Sequence, residues 1–377
     1  MNPELESMKS WILILVGLVL IVGLAMGLGW WLSREGPLPD LARSDSESAE
    51  GSNPAASSAK MNARHAFSRP QPSVTGNLKA ANETSEDDST RGPQILAIEQ
   101  YLAAKGRNAD TLLAAFFTSQ DKVYLKEAAQ QYPDNAQVQL AMIVNRVSPE
   151  DQRTWIEKLK QTDPSNSVGY YLSALEYFRQ KNPQAALQEL ISTSSLGLFN
   201  NYRREQSRQL EDMQLGMGSN PADAKATSMQ AGLGMQLLSG VKELSQQMIE
   251  QQKQYLQANE VTTASLLANL GTAMARRLNY DGAGSLVIDQ LVGIAVERQF
   301  LSQLDPAASP DYIGQPVSHR LDQLQRIEED FQQQDNFLSQ YLQSQPNDNV
   351  RLEYLNRVQA SGEAAALRWL RSRGTSP

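Results

Sequence analysis

No cysteine occurs in the chain, which excludes disulfides, thiolate metal sites and cysteine nucleophiles and fits either side of a membrane. Histidine is nearly absent, with 2 in 377 residues, and His319 alone lies in the part read as folded, where it supplies at most one type of metal ligand. Positive charge is short: 34 basic residues against 42 acidic ones leave a net charge of -8, and Lys and Arg are scattered. That balance argues against a nucleic-acid partner, whose phosphates demand a basic face. Neither a Gly-x-Ser-x-Gly nor a His-Glu-x-x-His arrangement is present, which removes the nucleophile elbow and the zinc-protease helix.

What the chain does have begins with grease. From Trp11 to Leu32 (WILILVGLVLIVGLAMGLGWWL) there is no charge and no strongly polar side chain. At about 1.5 Å per residue the stretch spans on the order of 33 Å, enough to cross a hydrocarbon core of about 30 Å. Trp11 stands at one end and Trp30 with Trp31 at the other, where indoles favour the lipid interface. A cleaved signal peptide has an apolar region of about 7 to 15 residues and a small-residue cleavage site; Ala25-Met26-Gly27 imitates that site poorly. The expectation is therefore a retained single-pass anchor over 11–32 behind a tail of residues 1–10. Lys9 precedes the span and Arg34 and Arg43 follow it, so the positive-inside comparison is balanced. A short tail before a long polar region is the signal-anchor layout, which places the C-terminal bulk outside the cytoplasm, in the periplasm of a bacterium. Gly23 and Gly27 form a small-xxx-small pair, the candidate transmembrane helix contact of a homodimer; against it stands the plain fact that glycine is common in membrane helices.

Residues 33–92 change character abruptly, to Ser, Pro, Asn, Ala, Gly and charge (SDSESAEGSNPAASSAK, ETSEDDSTRGP). Such a stretch buries too little apolar surface to offset its ordering entropy, so a disordered linker is expected. By square-root scaling its typical end-to-end distance is roughly 40 to 45 Å.

From Pro93 onward the pattern predicts an all-α fold. Segments rich in Ala, Leu, Gln and Glu alternate with short breaks, and no run alternates with period two. The breaks are Tyr132-Pro133-Asp134-Asn135, Ser148-Pro149, Asp163-Pro164-Ser165-Asn166, Lys181-Asn182-Pro183, Asp281-Gly282, Asp305-Pro306 and Gln345-Pro346-Asn347-Asp348. Asn and Asp cap the helix that follows, and Pro is tolerated in its first turn. The expected units are helical hairpins over 93–199 and a further α-helical domain over 200–377.

After Pro164, the residues Tyr170, Ala174 and Tyr177 fall on one helix and Ala186 and Leu190 on the next, with Asn182-Pro183 between. This unit resembles a tetratricopeptide repeat, a family in which a large residue, a small residue and a tyrosine stand at this spacing and a small residue lets the second helix approach. Ser173 departs from the family's usual leucine. The preceding unit, from Pro133, is shorter than the family's roughly 34 residues and has Trp155 where the small residue belongs; the last, from Pro346, keeps Leu352 and Leu355 but has Asn356 at the small position. The resemblance implies binding of a protein or peptide in a concave groove and carries no catalytic residues.

The middle of the chain does not repeat. Leu237, Val241, Leu244, Met248 and Tyr255 form one stripe of a long helix, expected to pair within the chain against Leu266, Leu270 and Met274 rather than in a coiled coil. Leu286 to Val296 (LVIDQLVGIAV) is apolar nearly all round, as expected of a deeply buried helix. Gly282-Ala283-Gly284-Ser285 lacks the preceding strand and the lysine of a phosphate loop and reads as a turn. His319, with Glu328, Glu329 and Asp330 further on, reads as solvated helix surface. No catalytic residue, metal ligand or cofactor is assigned. The expected function is a membrane-anchored scaffold or adaptor for a protein partner; the alternatives are an enzyme whose site is assembled from scattered carboxylates and a homo-oligomeric spacer.

Overall fold

Asparagine and aspartate side chains open most of the early helices, because four backbone N–H groups at each helix start have no partner within the helix. Asn108 accepts from the Thr111 N–H while the Thr111 hydroxyl accepts from the Asn108 N–H. Asp121, Asn135, Asn166 and Asn182 cap with the side chain accepting from N–H groups of the following turn, the last just ahead of Pro183. The structure, a computed structural model, describes residues 88–230, 234–278, 285–343 and 348–374. The apolar span Trp11–Leu32 with Gly23 and Gly27, the linker up to residue 87 and the Gly282–Gly284 turn lie outside them.

Among the described residues every regular element is helical, as the missing period-two alternation predicts. The α-helices are α1 (Asp88–Lys105), α2 (Ala109–Ser119), α3 (Lys122–Gln131), α4 (Ala136–Val144), α5 (Gln152–Thr162), α6 (Ser167–Arg179), α7 (Pro183–Ser192), α8 (Arg203–Gly216), α9 (Pro221–Gln230), α10 (Gly234–Gln257), α11 (Val261–Leu278), α12 (Val287–Leu301), α13 (Val317–Gln343), α14 (Asp348–Ser361) and α15 (Glu363–Gly374). Helix α1 starts at Asp88 and carries Pro93 inside it, so the helical part begins a turn earlier than the Pro-based break indicates.

Helices pair with their chain neighbours, α2 with α3, α4 with α5 and α6 with α7, and each pair leans on the next through α3–α4 and α5–α6. Helix α8 then returns to α2, so the first hydrophobic cluster continues past residue 199: Leu112, Phe116, Leu125 and Leu140 share it with Tyr202, Leu210 and Met213. A second cluster joins α6 and α7 to α10, α11 and α12. Helix α12 presents Ile288, Val296 and Phe300 to this cluster and Ile294 and Leu301 to a third, shared with Val317, Leu324 and Phe331 of α13. That double burial accounts for its nearly all-round apolar sequence. The hairpin α14–α15 packs on α13 and α9.

Helices α10 and α11 do pair within the chain, and Leu237, Val241, Leu244, Met248, Leu270 and Met274 are buried between them and their neighbours. Leu266 corrects the expectation. It is 37% exposed while Leu267 is 1% exposed; one residue is about 100° of helix rotation, so the stripe on α11 runs through Leu267. Gly271 lies on the same inward side, where an added Cβ would fall inside the Phe300 ring. A narrow crevice, with room for no more than about one water, remains between α6, α10 and Phe199. Its lining is apolar side chains and the Tyr171 ring, so it offers no chemistry of its own.

Candidate interaction surface

Helix α5 sorts its side chains by the 3.6-residue period. Gln152, Ile156 and Leu159 are buried, which turns Arg153, Glu157 and Lys160 onto a different, half-exposed face. On α6 the residues Tyr170, Ser173 and Tyr177 share one face by the same period. The two faces meet. The Arg153 guanidinium lies over the Tyr177 ring at 4.1 Å from its centroid and donates to the Tyr177 hydroxyl at 2.8 Å. Lys160 lies over the Tyr170 ring at 5.0 Å. Arg153 with Tyr177 and Lys160 with Tyr170 pair in reversed order along the two helices, so α5 and α6 run antiparallel. Gly169 permits the close approach: a Cβ there would stand 3.1 Å from Lys160 Cγ.

The sequence departure at Ser173 has a structural reason. Its hydroxyl accepts from Arg153 at 2.9 Å, a bond leucine could not make. Glu189 of α7 accepts from Lys160 at 2.8 Å, and Glu157 pairs with both Arg153 and Lys160. Cations and carboxylates thus balance on this face while the rings of Tyr170 and Tyr177 stay half-exposed. Ala174, Ala186 and Leu190 lie beneath, each at 0% exposure in the second cluster. The side chains singled out by the helical-repeat resemblance therefore form a seam, with small and aliphatic residues inside and two tyrosines at its surface.

Other candidate chemistry is not brought together. His319 is exposed on α13, as are Glu329 and Asp330, and Glu328 is paired with Arg298. No group of acidic or histidine side chains among the described residues has metal-binding geometry.

Two buried charge clusters escaped the sequence reading, although Asp289 and Glu297 stand out as charges within an apolar run. Arg203 of α8 grips Asp289 of α12 through two bonds of 2.7 and 3.0 Å, and the two residues are 9% and 7% exposed. Asp289 also accepts from the Leu286 N–H. Beside it, Glu363 of α15 accepts from the Val287 N–H at 2.8 Å and from the Tyr354 hydroxyl at 3.4 Å, while its own N–H donates to the Ser285 carbonyl. The second cluster centres on Glu297, at 0% exposure. Arg320 binds it with two bonds of 2.9 Å and Arg276 with one of 3.2 Å. Both clusters tie helices together, and every carboxylate oxygen in them holds a donor.

Burial pushes the Glu363 carboxyl above the ordinary glutamate range, with the Val287 and Tyr354 donors pulling the other way. The folded state therefore holds a proton there to higher pH than the unfolded chain does. The resulting stability is present in full below the unfolded value of about 4.3 and is lost as pH rises through the raised folded value. Glu363→Gln keeps an acceptor for Val287 and cannot ionise. Its stability relative to the native chain is expected to climb as pH rises through that window, read from urea midpoints at a series of pH values; parallel profiles for the two proteins would refute this assignment.

No family model, no curated protein and no solved structure matches the chain.

Proposed function

We propose that the chain is a membrane-anchored scaffold that binds a protein or peptide partner on its helical hairpins. Trp11–Leu32 holds the bilayer, the polar stretch that follows is the tether, and the helical part works outside the cytoplasm. The observation that carries this reading is the seam of α5 and α6. Arginine and tyrosine are the side chains most often found at the energetic centre of protein interfaces. Here the Arg153, Lys160, Tyr170 and Tyr177 side chains are already held by one another, so less side-chain freedom is lost when a partner arrives. The hairpin order and the buried Ala174, Ala186 and Leu190 also agree with the tetratricopeptide-like reading, in which such faces receive peptides.

A photo-crosslinking amino acid at Tyr170 tests it in the full chain, in its own cell, against the same group at exposed Gln188 on α7. A discrete polypeptide adduct is expected from position 170 and not from position 188. Identical adducts at both positions, or none at either, would remove the seam as the binding surface.

A further inference from the structure

The C-terminal end of the last helix is basic without a nearby acid in sequence. From Ala364 to Pro377 there are three arginines, Arg368, Arg371 and Arg373, and no acid, in a chain of net charge -8. Leu367 and Leu370 are buried against Leu338 of α13, which turns Arg368, Ser372 and Arg373 outward. Trp369 stays half-exposed among them. Its ring is flanked by Arg357 of α14, at 4.4 Å from the centroid, and by Arg373, at 5.0 Å. Arg371 lies over the Phe337 ring at 5.8 Å. Glu353 pairs with Arg357 at 2.8 Å.

We propose that this arginine and tryptophan face of α14 and α15 docks the helical part on the anionic headgroups of a phospholipid bilayer. Two features favour a bilayer over an acidic peptide. Guanidinium groups beside a half-exposed indole are the composition of an interfacial anchor, the charge meeting phosphate and the ring settling at headgroup level. Arg357, Trp369 and Arg373 also stand together on one side of the hairpin, with exposed Arg368 one helix position from the ring, which suits a broad surface of repeated phosphates. A patch of this size binds lipid weakly alone. It rests here on the proposed anchor, which keeps the same bilayer within tether reach and raises its effective concentration.

The absence of cysteine makes the test direct, since Ser372→Cys introduces the chain's single thiol for a polarity-sensitive fluorophore. The labelled full chain is reconstituted in phosphatidylcholine vesicles with and without phosphatidylglycerol. A blue shift and quenching by nitroxide lipid are expected only with phosphatidylglycerol and should vanish at about 1 M salt, where the Debye length falls to about 3 Å. Arg357→Gln, Arg368→Gln and Arg373→Gln should each weaken the signal about fivefold, and the triple variant should abolish it, with helical circular dichroism unchanged. Equal signals in neutral vesicles, or an undiminished signal in the triple variant, would overturn the proposal, as would a polyglutamate peptide that shifts the fluorophore equally without vesicles. Flotation of the same samples reports the anchor separately, because native chain and triple variant should float alike. If neither floats, the anchor fails, and the docking face is then judged by titrating free chain with excess vesicles, where a phosphatidylglycerol-dependent shift must still appear at the higher lipid concentration that weak untethered binding requires.

Discussion

Asp289→Ala is expected to lower the free energy of unfolding by about 3–5 kcal/mol, because it leaves the Arg203 guanidinium buried without its counter-charge. The geometry makes the loss hard to relieve. Both Arg203 end nitrogens bind Asp289, and Gly234, at the start of α10, stands so close that a Cβ would strike the guanidinium. Arg203 therefore cannot swing aside to water without displacing α10. Asp289 also holds the Leu286 N–H at the first turn of α12, so the same change uncaps that helix. Replacing both partners by leucine-sized apolar residues should cost far less than either single change, since no orphan charge remains. Urea unfolding of the two single variants and the double variant measures the effect; a single-variant loss below about 1 kcal/mol would mean that the pair is wet and separable.

Phe300→Ala should destabilise by a similar amount, about 3–5 kcal/mol, through the cavity it leaves. Phe300 is at 0% exposure, and its ring lies directly over Gly271 of α11. The glycine tolerates change no better than the ring does: Gly271→Ala drives a methyl into it and should cost about 1–3 kcal/mol by overpacking. In the double variant the new methyl enters the space the ring vacated, so the combined loss should fall short of the sum of the two. Strict additivity in a double-mutant cycle would show that α11 and α12 do not approach through this pair.

Much of the architecture is readable along the chain for reasons that stay local. A helix closes its bonds over four residues and its start needs an acceptor within three, so Asn135, Asn166 and Asn182 announce α4, α6 and α7 correctly. The stripe Leu237, Val241, Leu244 and Met248 announces the inner face of α10 in the same way. The partner stripe is harder to read, because α11 carries leucine at both 266 and 267, and only the packing on α10 and α12 chooses Leu267. The start of the helical part is misplaced by the sequence pattern because Gly92 and Pro93 look like a break, yet α1 runs through them.

The candidate surface divides along the same line. Tyr170, Ala174, Tyr177, Ala186 and Leu190 are legible as a set because their spacing lies within one hairpin. That Lys160 and Arg153 cover the two tyrosines is not, since it depends on the way α5 lies against α6. Sequence alone settled that the described part is built of helices and roughly where each begins, because hydrogen-bond closure, capping and amphipathic period act over a few residues. Only the tertiary structure decided that Arg203 meets Asp289 across 86 positions and that Glu297 is shared by Arg276 and Arg320. Charges far apart in a chain find each other through helix crossing and burial, and neither leaves a periodic trace in the residues themselves.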